Sequence, residues 1–486
     1  MVQGFSHLNI VRKGKKVLKC GGNAICEEKH LPDSAPERNI AIQSRLAHLL
    51  IRSLTENCTG YCILTGYEGL PDRVNSDIDF AVNASDFKRV PALLDEIAAL
   101  TGTSLFQVIP HEVTGRAFLI AAQDSGKLTF VQPDSCTDYR HFGKLWLYAD
   151  EIVGSRRWHE RGFWIPGAPS EFIYYLIKRI NKRDITLCHQ SKLSRLYMEN
   201  PSECNRWLRR FWGRHSADML AEMAETADWR PLVNGLEAYR SELMRHSRKS
   251  FTFAARSGHI LDRILKPTGG SLAFIGPDGC GKSSVIEAIE ADFAPAFQKV
   301  VCRHLRPKAL PAKRADDLPA TDPHGQPVRG NLYSVAKMLY LFLDYWIGYF
   351  RRVRSETVRT KLVIFDRYFY DILVDPRRVL YGGSRWLPRM LSHLIPHPEL
   401  VFLLNAPVDV LWSRKQEVQY DEVVRQQHEY LELARRIPGA IVIDASRSLP
   451  EVTFQVEKAI IDHFSRRTRH RMKLDSQAGI MKGMLK

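Results

Sequence analysis

One strand–loop–helix pattern near residue 270 constrains the fold of this chain more than any other feature. The run SLAFI is continuously apolar, as strands buried inside parallel sheets are, and GPDGCGKSS follows it directly. Residues 276–283 fit the pattern G-x-x-x-x-G-K-[ST] in full, and SSVIEAIEADF continues them with helical spacing. This order of elements predicts an α/β domain built on a parallel sheet.

Further apolar segments predict the other strands of that sheet: KVVCRHL (299–305), KLVIFD (361–366), ELVFLLN (399–405) and AIVIDA (440–445). Helical patterns separate them, so the predicted fold is doubly wound, with helices on both faces of the sheet. The breaker cluster KPTGG marks the start of this unit, which we expect to cover residues 266–465. Residues 466–486 then read as a basic tail.

The loop itself has the residue types that a phosphate site needs. Glycines let backbone N–H groups approach phosphate oxygens, and the following helix directs its positive end at the anion. A lysine can bridge the β and γ phosphates, and a hydroxyl can ligate Mg²⁺. The predicted phosphate-binding residues are Gly276, Gly279, Gly281, Lys282, Ser283 and Ser284.

Basic and acidic residues follow the predicted strands. Asp366 ends KLVIFD, where a carboxylate can hold Mg²⁺ together with Ser283, and Arg367 comes next. The alternative for Asp366 is a cap on the next helix. Arg414 and Arg425 lie on helical segments that could close over a phosphoryl group, or they form an ordinary basic helix face.

The rest of the chain divides into three parts. Residues 1–40 are polar and irregular, and residues 41–165 alternate short strands and helices as a small mixed α/β unit. Residues 166–265 show helical periodicity throughout. Within the small unit, DIDF places Asp77 and Asp79 on one face of a strand, and Asp134 is the best third carboxylate, with Asp138 in reserve. Such a trio can hold two Mg²⁺ ions.

Residues 270–462 resemble the thymidylate kinase group of P-loop kinases, through GPDGCGKSS, FDRYFYD, the segment around SRKQE and the final VIDAS. The resemblance implies ATP and Mg²⁺ as cofactors, with Asp444 at the start of a loop near adenine. It implies contact with the acceptor or stabilisation of the transferred group for Asp278, Arg367, Arg414 and Arg425.

The acceptor side departs from that family. HLRPKALPAKR replaces the family's R-E-P-G-G-T element, and DILVDPRRVLYGG replaces the segment that reads thymine. We therefore expect a different acceptor pocket, with surface charge as the alternative, built from Arg306, Asp371, Asp375, Arg377 and Arg378. In this pattern the chain resembles the thymidylate-kinase-like proteins found with surface polysaccharide genes.

LTGYEGLPDRVNSDIDF resembles the start of a polymerase-β-type nucleotidyltransferase. The resemblance implies that Asp77, Asp79 and Asp134 are metal ligands. It departs from the family where Tyr67 follows Gly66 and where Pro133 precedes Asp134. The alternative is a domain that binds or positions a substrate without transfer chemistry.

The net charge of +16 suits a polyanionic partner and leaves nucleic acid open alongside small phosphorylated molecules. MLYLFLDYWIGYF (338–350) is too short to span a bilayer and is interpreted as a packed helix, with peripheral membrane contact as the alternative. Nine scattered cysteines and the lack of a signal-like run predict a cytoplasmic location. The sequence does not indicate an oligomeric state.

The leading hypothesis is a Mg²⁺-dependent phosphotransferase that moves the γ-phosphoryl group of ATP to a small acceptor, either a sugar, a sugar phosphate or a nucleotide-like phosphate. One alternative is an NTP-dependent switch with a nucleic-acid or protein partner. Another is a true thymidylate kinase with an added domain, against which the missing thymine-reading segments argue.

Overall fold

The computed structural model describes residues 37–124, 127–141, 144–246, 248–249, 253–310, 330–416 and 419–474. Most of the predicted irregular segment, residues 1–36, and the end of the predicted tail, residues 475–486, lie outside the described residues. Within the described ranges, no helix is long and apolar enough to cross a membrane.

The N-terminal unit is a mixed sheet with helices on both faces. Its helices are α1 (Glu37–Asn57), α2 (Ala84–Phe87), α3 (Val90–Thr101) and α4 (Ala149–Gly154). Its strands are β1 (Tyr61–Thr65), β2 (Ile78–Val82), β3 (Ser104–Glu112), β4 (Gly115–Asp124), β5 (Lys127–Val131), β6 (Pro133–Cys136), β7 (Tyr139–His141), β8 (Lys144–Leu147), β9 (Arg157–His159) and β10 (Phe163–Ile165). The main sheet has the order β1-β2-β6-β4-β3, with β5 also on β4, and β2 runs parallel to β6.

Residues 166–265, predicted as a helical region, are mostly helical. It contains α5 (Ala168–Lys182), α6 (Leu187–Glu199), α7 (Pro201–Phe211), α8 (Arg214–Thr226), α9 (Arg230–Asn234), α10 (Leu236–His246), the short strand β11 (Arg248–Lys249) and α11 (Phe253–Leu265). Helix α5 is buried along most of its length, and its core continues into the N-terminal unit through Cys62, Leu64 and Trp146. The helical region therefore packs on the face of β1 and β2 that lies opposite to α1 and α3.

The C-terminal unit has the predicted parallel sheet, in the order β13-β14-β12-β15-β16. Its strands are β12 (Gly270–Ile275), β13 (Lys299–His304), β14 (Lys361–Asp366), β15 (Leu400–Asn405) and β16 (Ala440–Asp444). Its helices are α12 (Lys282–Phe293), α13 (Asn331–Gly348), α14 (Ser355–Val358), α15 (Phe369–Val374), α16 (Trp386–Ser392), α17 (Val408–Arg414), α18 (Tyr420–Arg436) and α19 (Leu449–Met472). A π-helical turn, Tyr349–Arg354, follows α13. All five predicted strands are confirmed, and β12 lies at the centre of the sheet.

The two sheet units share one hydrophobic core. Phe106 and Leu119, on β3 and β4, pack with Phe293 of α12 and Phe464 of α19. The opposite face of the N-terminal sheet is covered by α1 and α3. The N-terminal sheet is therefore buried on both faces, and the C-terminal unit supplies one of the covers.

The start of the predicted basic tail is instead part of this junction, because α19 continues to Met472. Arg467 pairs with Glu399 at 2.7 Å, and Arg469 pairs with Asp95 of α3 at 2.8 Å. Thr468 donates a hydrogen bond to the carbonyl oxygen of Phe106 at 3.0 Å. Side chains of residues 466–472 therefore contact both units. The run of basic residues in the sequence did not indicate these contacts.

Candidate functional site

The phosphate loop joins the central strand β12 to α12 through glycines in unusual backbone conformations. Gly276, Gly279 and Gly281 have φ values of 142°, 83° and 84°, in the region that favours glycine. A Cβ on Gly276 would lie 2.5 Å from the carbonyl oxygen of Leu404 in β15. The loop therefore needs glycine both for its turns and for its close approach to the neighbouring strand.

Lys282 is folded back over the loop. Its Nζ donates hydrogen bonds to the carbonyl oxygens of Gly276 at 2.9 Å and Pro277 at 2.8 Å, and the side chain is buried. Ser283 and Ser284 lie exposed at the start of α12. An ammonium group that is hydrogen-bonded to carbonyl oxygens beside a helix N-terminus can bind phosphate oxygens in their place.

Asp278 lies between two arginines. Arg367 and Arg378 each form an ion pair with its carboxylate, one on each oxygen. Burial alone would raise the pKa of Asp278, but the charges of Arg367, Arg378 and Lys282 outweigh it and hold that pKa well below its usual range. The carboxylate of the loop therefore stays ionised and fixes both guanidinium groups beside the loop.

Arg367 occupies a left-handed backbone conformation, with φ of 70°, immediately after β14. Its N–H donates to the carbonyl oxygen of Phe274 in β12 at 2.9 Å, which draws the two strand ends together. Non-glycine residues in this region are uncommon and are concentrated at functional sites. The strand end is thus shaped to direct Arg367 at the loop.

The structure places the predicted acceptor residues differently from the expectation. Asp371 is fully buried and accepts hydrogen bonds from Arg367 at 3.0 Å and from the Tyr430 hydroxyl at 2.7 Å, so it positions Arg367 from behind. Asp375 is also buried and pairs with Arg378 at 3.1 Å. Arg377 is exposed, while its neighbour Arg378 reaches the loop.

Arg306 also has a different setting from the predicted one. It is buried against Asp344 of α13 at 3.1 Å, and Asp344 accepts hydrogen bonds from the backbone N–H groups of Lys308 and Leu310. A buried ion pair with these extra bonds holds the segment after β13 in place. Because Arg306 follows the end of a strand, the sequence predicted that it contacts the acceptor. Nothing in the sequence indicated its ion pair with Asp344.

Asp366 ends β14 within reach of His304 at the end of β13, with 3.3 Å between His304 Nδ1 and a carboxylate oxygen. Burial raises its pKa, but the His304 hydrogen bond and the charges of Arg367 and Lys282 outweigh it, so the net shift of the Asp366 pKa is downward. The ionised carboxylate of Asp366 and the exposed hydroxyl of Ser283 are hard oxygen donors of the kind that Mg²⁺ requires. These two residues therefore fit the predicted metal.

Of the arginines predicted to close over the phosphoryl group, Arg414 lies next to the loop and Arg425 is paired on its own helix. Arg414 donates to the carbonyl oxygen of Ala445 at 2.9 Å, next to Asp444, and its Cβ lies beside Gly279. Arg425 pairs with Glu422 and Glu429 on its own helix, α18. Asp444 is exposed and accepts hydrogen bonds from the N–H and the hydroxyl of Ser446.

A second cluster of charges lines a cavity of about 140 Å³ in the N-terminal unit. Asp79 on β2 and Asp134 on β6 are direct neighbours in the parallel register, and Asp77 lines the same cavity. Lys178 of α5 donates to Asp79 at 2.6 Å and to the hydroxyls of Thr65 and Tyr174. Asp138 instead pairs with Arg140 at 2.7 Å.

The three carboxylates do not form a metal site in this arrangement. Among the described residues, no group of three His, Cys, Asp or Glu side chains is placed to hold a metal ion. Lys178 supplies the positive charge next to Asp79 and, against the effect of burial, lowers its pKa. Burial and the charges of Asp79 and Asp134 raise the pKa of Asp77 to about 6. Nothing in the sequence indicated that Lys178, which lies in the helical region, would contact Asp79 in this cavity.

The parallel sheet, its strand order and the glycine-rich loop define a P-loop α/β domain. No family model and no curated protein matches the chain. Among solved structures, the chain is similar to thymidylate kinases from Ehrlichia chaffeensis and Candida albicans, with 15% identity to each. Both matches cover 40% of this chain, and 98% and 93% of the two kinases, with TM-scores of 0.30 and 0.32.

Proposed function

We propose that the C-terminal unit is a phosphotransferase that moves the γ-phosphoryl group of ATP to a small acceptor, a sugar, a sugar phosphate or a nucleotide-like phosphate. The observation that carries the proposal is the convergence of Lys282, Arg367 and Arg378 on the loop between β12 and α12. Three cations around one phosphate loop neutralise the charge that accumulates in phosphoryl transfer. Surface polysaccharide metabolism is the pathway that the resemblance implies.

In this proposal Lys282 leaves the carbonyl oxygens of Gly276 and Pro277 for the β and γ phosphates. Asp278 and Asp371 keep Arg367 oriented, and Arg378 lies where the acceptor approaches. Mg²⁺ would be held by Ser283 and, through water, by Asp366, and it would supply charge neutralisation. Arg414 and Arg425 would close on the phosphates in a lid movement.

A transfer assay tests the proposal. Protein, Mg²⁺ and γ-labelled ATP are incubated with nucleoside monophosphates including thymidine monophosphate, sugars, sugar phosphates and a cell extract. Lys282→Ala should abolish label transfer to a small molecule, whereas Lys299→Ala, an exposed lysine at the other end of the sheet, should not. Label released only as phosphate, whatever the acceptor, would contradict the proposal and favour an NTP-dependent switch.

The cavity of the N-terminal unit supports a second candidate function, binding of a small polar substrate of the same pathway. Gln132 lines this cavity, and within the described part of the chain its buried Oε1 accepts no hydrogen bond. A buried acceptor without a partner is unfavourable unless a ligand or water satisfies it. Loss of ligand-induced thermal stabilisation in Asp134→Asn, with unchanged ATP turnover, would support this function and separate it from the kinase site.

A further inference from the structure

Helix α11, which leads into the C-terminal unit, turns its polar side toward the protein. Among its described side chains, residues 257–265, none is buried. His259 and Arg263 are partly buried one turn apart, and Arg263 donates a hydrogen bond to the carbonyl oxygen of Val358 at 3.3 Å. Arg354 donates to the carbonyl oxygens of the last two residues of α11 at 2.6 and 3.2 Å. Polar contacts therefore hold this helix, whereas a surface helix ordinarily buries an apolar stripe.

The apolar side chains of α11 lie on its opposite side, in contact with solvent. This apolar stripe consists of four side chains that are 44% to 63% exposed: Ile260, Leu261, Ile264 and Leu265. At 3.6 residues per turn, the centre of the stripe lies about 150° around the helix from the side of His259 and Arg263. Contiguous exposed apolar side chains, unlike single ones, mark an interaction surface.

The size of the stripe indicates the kind of partner. Four half-exposed aliphatic side chains present on the order of 300 Å² of apolar surface. A stable association of two separate chains buries about 800 Å² on each partner, which is more than twice this area. A segment of the same chain needs less, because its tether raises its effective concentration to the millimolar range. The stripe therefore fits a segment of this chain better than a second copy.

The end of α19 leads along the connector, residues 266–269, toward α11. Arg467 donates hydrogen bonds to the carbonyl oxygens of Gly269 at 3.0 Å and Thr268 at 2.8 Å. Arg471, one turn later in α19, donates to the carbonyl oxygen of Pro267 at 2.8 Å. One turn of α19 thus moves its contacts back along the connector in the direction of α11. The residues that follow α19 therefore start close to the end of α11.

The sequence of those following residues matches the stripe. Residues 475–486, DSQAGIMKGMLK, lie outside the described residues and have large apolar residues at positions 480, 481, 484 and 485. This is the spacing of residues 260, 261, 264 and 265 in α11, and no part of residues 1–36 has it. Lys482 has the place in this segment that the exposed Asp262 has in α11, so the charges beside the two apolar sets are opposite.

We propose that residues 475–486 dock on the apolar stripe of α11. From Leu474, the last described residue, to residue 480 the chain can span about 20 Å, more than twice the length of the stripe, which is about 8 Å. Docking there extends the contact that α19 already makes with residues 267–269, and it holds the connector from which β12 and the phosphate loop begin. The stripe includes no residue of either candidate site, so its test does not depend on phosphoryl transfer.

Hydrogen–deuterium exchange of the full chain, measured by mass spectrometry, tests the proposal. Met484→Glu/Leu485→Glu should raise the exchange rate of residues 260–265 by about 10-fold, because it removes their cover. Leu261→Glu/Leu265→Glu should in turn raise the exchange rate of residues 480–485 by about the same factor. Ser476→Glu/Gln477→Glu adds the same charge outside the apolar positions, so it is the matched control and should change neither rate.

Unchanged exchange at residues 260–265 in Met484→Glu/Leu485→Glu would overturn the proposal. This variant alters only the terminal segment, so it keeps the test valid if Leu261→Glu/Leu265→Glu does not fold. Protection of the stripe that grows between about 1 and 50 µM protein would show that a second copy covers it and would also overturn the proposal. Protection that appears only with phosphatidylglycerol vesicles would overturn it in favour of an anionic membrane.

Discussion

Phe106 of the N-terminal sheet stacks on Phe464 of α19, the last described helix of the C-terminal unit. Their ring centroids are 4.9 Å apart, with 20° between the ring planes, and both side chains are fully buried. Phe293 and Phe297 of the C-terminal unit also contact Phe106. The two units therefore share an aromatic core, which makes independent movement or unfolding of either one unfavourable.

Phe106→Ala should lower the free energy of unfolding by about 3–5 kcal/mol, the usual result of truncating a buried phenylalanine. Because the ring belongs to the core of both units, the loss should appear in each. Urea denaturation followed by N-terminal and C-terminal tryptophan probes would measure it.

Leu100→Ala, on an exposed side chain of α3, is the control and should change stability by less than about 0.5 kcal/mol. Two well-separated transitions in the wild type, with only the first moved by Phe106→Ala, would show that the units unfold independently.

The stability of the junction between the two units should also depend on pH, through the ionisation of Glu457. This buried residue of α19 accepts a hydrogen bond from Gln123 of β4 at 2.7 Å, and burial together with Asp292 raises its pKa to about 7. Because the pKa is higher in the folded chain, protonation stabilises the fold at low pH, and that stability is lost as pH rises through about 7.

Glu457→Gln should flatten this dependence and stabilise the protein at pH 8 by about 1–2 kcal/mol, since the amide can keep the hydrogen bonds without the charge. Thermal melts from pH 5 to 9 would measure it, with Asp462→Asn, exposed on the same helix, as the control. If the melting temperatures of the wild type and Glu457→Gln change with pH in the same way, the raised pKa of Glu457 is contradicted.

The sequence predicted the C-terminal fold well because each of its strands is a continuous apolar run next to a helical pattern. It did not predict β3, where SLFQVIPHE mixes polar and apolar residues, because that strand's apolar side faces the other unit. The basic residues of α19 were predicted to be a tail because their partners lie in the other unit. Contacts between two units produce no regular pattern in the sequence from which they could be predicted.

In the candidate sites, too, local sequence signals were predicted and contacts between distant residues were not. The loop was predicted because glycine spacing and a Lys-Ser pair are local signals, and this segment joins β12 to α12. Asp344, Tyr430 and Lys178 were missed, since each acts on a residue more than thirty positions away. The choice between Arg377 and Arg378 could not be made from adjacent identical residues.

That pair of arginines gives a sharp test of the acceptor side. Arg378→Ala should reduce kcat/KM for phosphoryl transfer by about 10- to 100-fold, because it removes a cation held beside the loop by Asp278 and Asp375. Arg377→Ala, one residue earlier and exposed, should stay within about two-fold of the wild type. Melting temperatures separate a catalytic loss from unfolding, and equal losses in both variants would contradict the geometry.

Ionisation within the N-terminal cavity should also lower the stability of the protein as pH rises, but at a lower pH than the ionisation of Glu457 does. The pKa of Asp77 is raised to about 6 by burial and by Asp79 and Asp134, so its ionisation destabilises the folded chain as pH rises through about 6. Asp77→Asn should therefore stabilise the protein by about 1–2 kcal/mol at pH 7.5 and by clearly less near pH 4.5, closer to the unfolded pKa. Lys178→Met should do the opposite at pH 7.5, because it removes the ammonium group that balances Asp79. Urea denaturation at the two pH values measures both, and stabilisation by Lys178→Met would show that Lys178 does not act as the counter-charge of this cavity.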